Sequence, residues 1–68
     1  MKVWMASNYN LKFMEVFKSY ESFKWFLASE LEEVTGDSAE FWEASSVEEL
    51  KAELKDYDSY WMFEVGTL

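Results

Sequence analysis

The apolar positions along the chain change period several times, and each change marks an element. Met1 to Ser7 is a short apolar run that closes on the turn-forming Ser7-Asn8-Tyr9-Asn10, so it is expected to be a strand with Leu11 to Phe17 as its hairpin partner. In that partner Leu11, Phe13 and Phe17 share one face with Glu15 between them, while Lys12, Met14 and Val16 fall on the other. Spacing then shifts to threes and fours: Tyr20, Phe23, Leu27, Leu31 and Val34 lie along one face of a helix opened by Ser19 and closed at Val34-Thr35-Gly36. Trp25 projects roughly opposite that stripe, near Glu21 and Glu32, and is expected to be exposed.

Residues 37–44 carry two signals. Asp37-Ser38-Ala39-Glu40 has the form of a capping box, whereas Phe41-Trp42-Glu43-Ala44 also suits a short strand. The strand is favoured, because Ser46-Val47-Glu48-Glu49 is the better capping box and leads into Val47, Leu50, Leu54 and Tyr57 at helical spacing. After Asp56-Tyr57-Asp58, the stretch from Ser59 to Val65 alternates Trp61, Phe63 and Val65 against Tyr60, Met62 and Glu64, which is a final strand. The expected architecture is a small two-layer α+β sandwich in ββαβαβ order, with a mainly antiparallel sheet and both helices on one face. Its other face would carry Trp4, Met14, Tyr60 and Met62, an exposed aromatic sheet surface.

Composition narrows the chemistry. With 68 residues the chain makes one domain, 1–68, and at 50% hydrophobic and 21% aromatic it has the material for a core. It contains no cysteine and no histidine, which removes disulfides, thiolate chemistry and nucleophile–histidine pairs, so an enzyme is not expected. No acidic stretch has calcium-loop spacing and no glycine-rich loop is present, so neither metal nor cofactor is expected. The longest apolar runs are about four residues, far below the roughly 20 needed to span a bilayer, and no basic-then-apolar export pattern opens the chain. A cytoplasmic location is expected, the host cytoplasm if the protein is phage-encoded.

Charge changes the picture most. Fourteen Asp and Glu oppose six basic residues, all lysine, for a net −8. Residues 30–58 hold eleven of the acids against Lys51 and Lys55, a local −9, while residues 1–29 are net +2. Concentrated acid opposes folding by self-repulsion. It keeps an aromatic-rich small domain in solution, and it can also imitate the phosphates of a nucleic acid before a basic protein surface.

In size, acidity and aromatic content the chain resembles the small inhibitors that bacteriophages make against host defence, the anti-CRISPR and antirestriction proteins; the likeness is compositional and covers no aligned residues. It implies a compact binding protein that occupies the basic, nucleic-acid-binding surface of a nuclease or defence complex and does not itself contact nucleic acid or membrane. Glu30, Glu32, Glu33, Glu40, Glu43, Glu48, Glu49 and Glu53 would supply the charge, with Trp25 and Trp42 as desolvated anchors. The alternative is a structural or regulatory module that self-associates, as a homodimer for instance, or binds a protein partner through the exposed sheet face, with the acidic half serving solubility.

Overall fold

The computed structural model describes residues 1–68. Its elements are β1 (Lys2–Asn8), β2 (Phe13–Phe17), α1 (Tyr20–Thr35), α2 (Ala39–Glu43), α3 (Val47–Tyr57) and β3 (Trp61–Thr67). The three strands form one antiparallel sheet in the order β2-β1-β3, and the helices lie on one face of it. The two-layer α+β class read from the sequence therefore holds. The order is ββαααβ, however, because the segment expected as a fourth strand is the helix α2.

Local hydrogen bonding explains that correction. Ser38 caps α2, its Oγ accepting from the Phe41 N–H at 3.2 Å, and Trp42 donates its indole N–H to Thr35 Oγ1 at 3.2 Å. A strand over 41–44 would leave only residues 45 and 46, about 7 Å at full extension, to return from a sheet edge to the start of α3, which is less than the separation of two layers. A one-turn helix instead satisfies its backbone in place.

The flanking helices follow their caps. Ser19 accepts from the Ser22 N–H at the start of α1, and Gly36 ends it in the left-handed conformation (φ 86°), donating to Glu32 O at 2.9 Å. Ser46 and Glu49 form a reciprocal capping box on α3. Phe23, Leu27 and Leu31 of α1 and Val47, Leu50 and Leu54 of α3 meet Ala6, Phe17 and Trp61 of the sheet to make the core. Phe26 closes one side of it, stacked on Phe13 at 5.4 Å and edge-on to Trp61 at 5.7 Å.

Register decides which residues face the helices. Asn8 pairs with Phe13 on β2 and with Trp61 on β3, and Trp4 pairs with Phe17 and Val65. Trp4 thus lies on the helix-covered face, edge-on to Tyr20 at 5.6 Å, and not on the open face where the sequence placed it. Tyr60 precedes β3 in the turn, outside the strands. The residue that turns β1 this way is Asn8, the one buried polar residue of the chain. Its amide donates to Asp58 Oδ2 at 3.0 Å, and its carbonyl oxygen accepts from the Leu11 N–H at 3.0 Å, while Asp58 Oδ1 accepts from the Tyr60 N–H.

Asn8 therefore ties the β1–β2 turn to the α3–β3 connection, and its removal takes from the half-buried Asp58 carboxylate one of its two hydrogen bonds and from the Leu11 N–H its acceptor. Asn8→Ala is expected to lower the free energy of unfolding by about 2–3 kcal/mol, measured by urea denaturation. A loss under about 0.5 kcal/mol would show that the link does not hold the two turns together.

Candidate functional site

Two surfaces of opposite character emerge. The helical segment 19–58 carries twelve acidic side chains against three lysines, a balance of −9, so nearly all the negative charge sits on one layer. A single ion pair relieves it, Lys51 Nζ to Glu48 Oε1 at 3.1 Å. No three of the carboxylates gather into a cluster able to hold a metal ion; they are distributed over the three helices.

The expected site residues divide by what their side chains already do. Trp25 is exposed at 46%, on the outward side of α1 with Glu21 and Glu32. Glu32, Glu33, Glu40 and Glu53 are exposed and free of ion pairs or hydrogen bonds within the chain. Glu48 is held by Lys51, and Glu49 accepts from the Ser46 backbone N–H at 3.0 Å; bonds to the Ser46 backbone and hydroxyl hold its carboxyl below the ordinary value. Glu43 is half-buried. Glu30 is half-buried too, and burial, reinforced by the charge of Glu33, raises its pKa.

Trp42 is engaged within the fold. It packs half-buried against the core and its indole N–H is taken by Thr35, whose hydroxyl also donates to Leu31 O and accepts from the Asp37 N–H. Trp25 and Trp42 are not brought together: Trp42 meets α1 at Thr35, ten residues and about 15 Å along the helix from Trp25. The aromatic ring α2 does expose is Phe41, 61% accessible and edge-on to Trp42 between Glu40 and Glu43. Its place became legible only once 39–43 was a helix.

The second surface is the uncovered face of the sheet. Side chains alternate across the ladder, so the face away from the helices carries Met5 of β1, Met14 and Val16 of β2, and Met62 of β3. Main-chain hydrogen bonds in both directions between Met1 and Leu68 continue the ladder, which places Met1 on the same face. All four methionines of the chain are therefore on this side. Met14 is 75%, Met62 56% and Val16 44% exposed. Val3 and Met5 lie over Gly66, where an added Cβ would touch both. The open face is thus aliphatic and sulfur-bearing. The aromatic character expected of it belongs to the opposite face, where Trp4, Phe13, Phe17, Trp61 and Phe63 turn toward the helices.

No helix is long and apolar enough to cross a membrane. No family model matches the chain, and it has no match among curated proteins or among solved structures.

Glu30 gives a pH signature of the acidic layer. A carboxyl whose folded-state pKa is raised binds its proton more tightly in the folded chain, so its penalty on stability is present at neutral pH and is relieved as pH falls through the folded value. Glu30→Gln is expected to raise the melting temperature at pH 7. The difference from wild type should close by about pH 3.5, where both carry a neutral side chain. A difference from wild type no larger at pH 7 than at low pH would show that Glu30 ionises without cost.

Proposed function

We propose that the protein is a non-enzymatic inhibitor that occupies the basic, nucleic-acid-binding surface of a protein target and holds off nucleic acid by competition. The observation that carries this reading is the segregation of charge: a −9 helical layer with one internal ion pair, on a chain whose remaining segments are close to neutral. Carboxylates that are exposed and unpaired in the free protein need no internal bond broken before they meet Lys or Arg of a partner. Glu32, Glu33, Glu40 and Glu53 fit that role best. Glu30 and Glu43 are half-buried, and Glu48 and Glu49 are engaged within α3. Exposed Trp25, with Glu21 and Glu32 beside it, offers an apolar and cation–π contact to an incoming basic side chain. The same charge repels phosphate, so the protein itself would bind neither nucleic acid nor an anionic membrane.

Competition and salt test the reading together. Proteins captured from a cell lysate on the immobilised chain should include nucleic-acid-binding proteins that an added DNA or RNA duplex releases. Their affinity should fall by about a hundredfold between 50 and 200 mM salt if four charge contacts behave as phosphate contacts do. Replacing Glu32, Glu33, Glu40 and Glu53 with Gln should abolish capture while leaving the circular dichroism spectrum unchanged. Capture indifferent to duplex, salt and these substitutions would sink the proposal.

A further inference from the structure

We propose that the open sheet face is a homodimer interface, in which two copies of this chain stack their methionine-bearing faces about a two-fold axis running along β1. The inference goes beyond the inhibitor reading and is independent of what the acidic layer binds. It rests first on charge. The helical layer is net −9, so any association of two copies that brings those layers together is opposed. The open face is the one broad side without that excess: within its strands it carries a single charged residue, Glu64 on β3. Lys18 follows directly after β2, at the opposite edge. Stacking by the open faces directs both acidic layers outward, as far apart as the fold allows.

The second argument is self-complementarity. A two-fold axis along the central strand lays β1 over β1 and β2 of each copy over β3 of the other. Met14 then meets Met62 at one end of the interface, Met5 meets its own counterpart at the centre, and Val16 of each copy comes over Glu64 of the other, with Lys18 two residues further along the same edge. Two like-sheet layers at the usual separation of about 10 Å leave room for interdigitated Met and Val side chains and no more. Methionine suits this position, being apolar enough to gain by burial and flexible enough to stay solvated when alone.

Area sets the strength. Strands of seven, five and seven residues make a face of about 300 Å², and two such faces cover on the order of 600 Å², the size of a weak and transient contact. The dimer is therefore a weak one, populated or not according to concentration.

Sedimentation equilibrium from about 1 μM to 1 mM is expected to give a monomer–dimer equilibrium that tightens slightly as salt rises, since salt screens the repulsion between acidic layers. This is opposite in sign to the salt response of the inhibitor complex, so the two proposals fail separately. Met5→Glu and Val16→Glu each place a carboxylate on the open face, the second directly opposite Glu64 of the other copy, because Val16 and Glu64 both pair with Met5. Both should remain folded by circular dichroism and weaken the dimer at least tenfold; if either unfolds, the other decides. Lys18→Glu should weaken it several-fold, and the exchange Lys18→Glu with Glu64→Lys should restore the wild-type constant within about twofold. A wild-type monomer at every concentration overturns the proposal. So does a dimer that survives both face substitutions, which would be pairing by the strand edges, or one indifferent to Lys18→Glu, which would have another register.

Discussion

A sheet of three strands has two faces, and this chain has helix enough to cover one of them. The consequences run through the whole molecule. Burial on a single side requires every large ring on the strands to point the same way, and Trp4, Phe13, Phe17, Trp61 and Phe63 do so, meeting Phe23, Phe26 and the leucines of α1 and α3. The principal extents of 34 × 26 × 15 Å describe a plate one helix and one sheet thick. In so thin a molecule almost every residue is near a surface, and only thirteen are buried, so stability depends on a few large side chains filling one layer without gaps. Removing one of the fully buried ones, such as Phe23 or Leu50, takes away a large part of the only core there is.

Most of this was legible because two of the helices announce themselves locally. Ser19 and Gly36 bracket α1, and the Ser46–Glu49 box opens α3, each through side-chain and main-chain hydrogen bonds that depend on neighbours in sequence. The alternation of β3 was equally plain, since Trp61 and Phe63 leave no doubt about the inward side. The errors have a common origin in contacts remote along the chain. Ala39–Glu43 is helical because Ser38 caps it and because Trp42 reaches back to Thr35 with too little chain before α3 to return from a sheet edge. Trp4 faces inward because Asn8, four residues on, must reach Asp58, fifty residues away in sequence. Hydrophobicity alone would turn Val3 and Met5 inward on β1 and leave Asn8 outside; a buried hydrogen bond reverses that choice, and a strand cannot turn one residue without turning all of them.

The charge was legible as an amount and only partly as a surface. A run of acids between residues 30 and 58 maps onto one layer because that run is almost wholly helical, so the lopsidedness along the sequence becomes lopsidedness in space. What the sequence does not separate is availability. Glu49 and Glu53 look alike in a string of letters, yet one carboxylate completes a cap and the other meets only water. Glu30 and Glu32 are two residues apart, and the rotation of about 200° between them puts one toward the packed side of α1 and the other beside Trp25. Four of the eight acids expected to act together are exposed and unengaged within the fold, and the number of charges free to meet a partner is smaller than the composition suggests.

The two faces also explain each other. A layer at −9 favours a partner of opposite sign and disfavours a second copy of itself, so any self-association has to avoid it. The sheet's open side is where that avoidance is possible, and it is also where all the methionines lie. Rings of the size of Trp4 or Phe63 on that side would give a rigid apolar patch exposed in the free protein, whereas unbranched thioether side chains fill gaps when covered and keep their freedom when not. Placing aromatic residues where the helices cover them and methionine where nothing in the fold does lets a 68-residue chain keep one face for stability and leave the other open to the contact proposed above, with most of its negative charge on the helical layer.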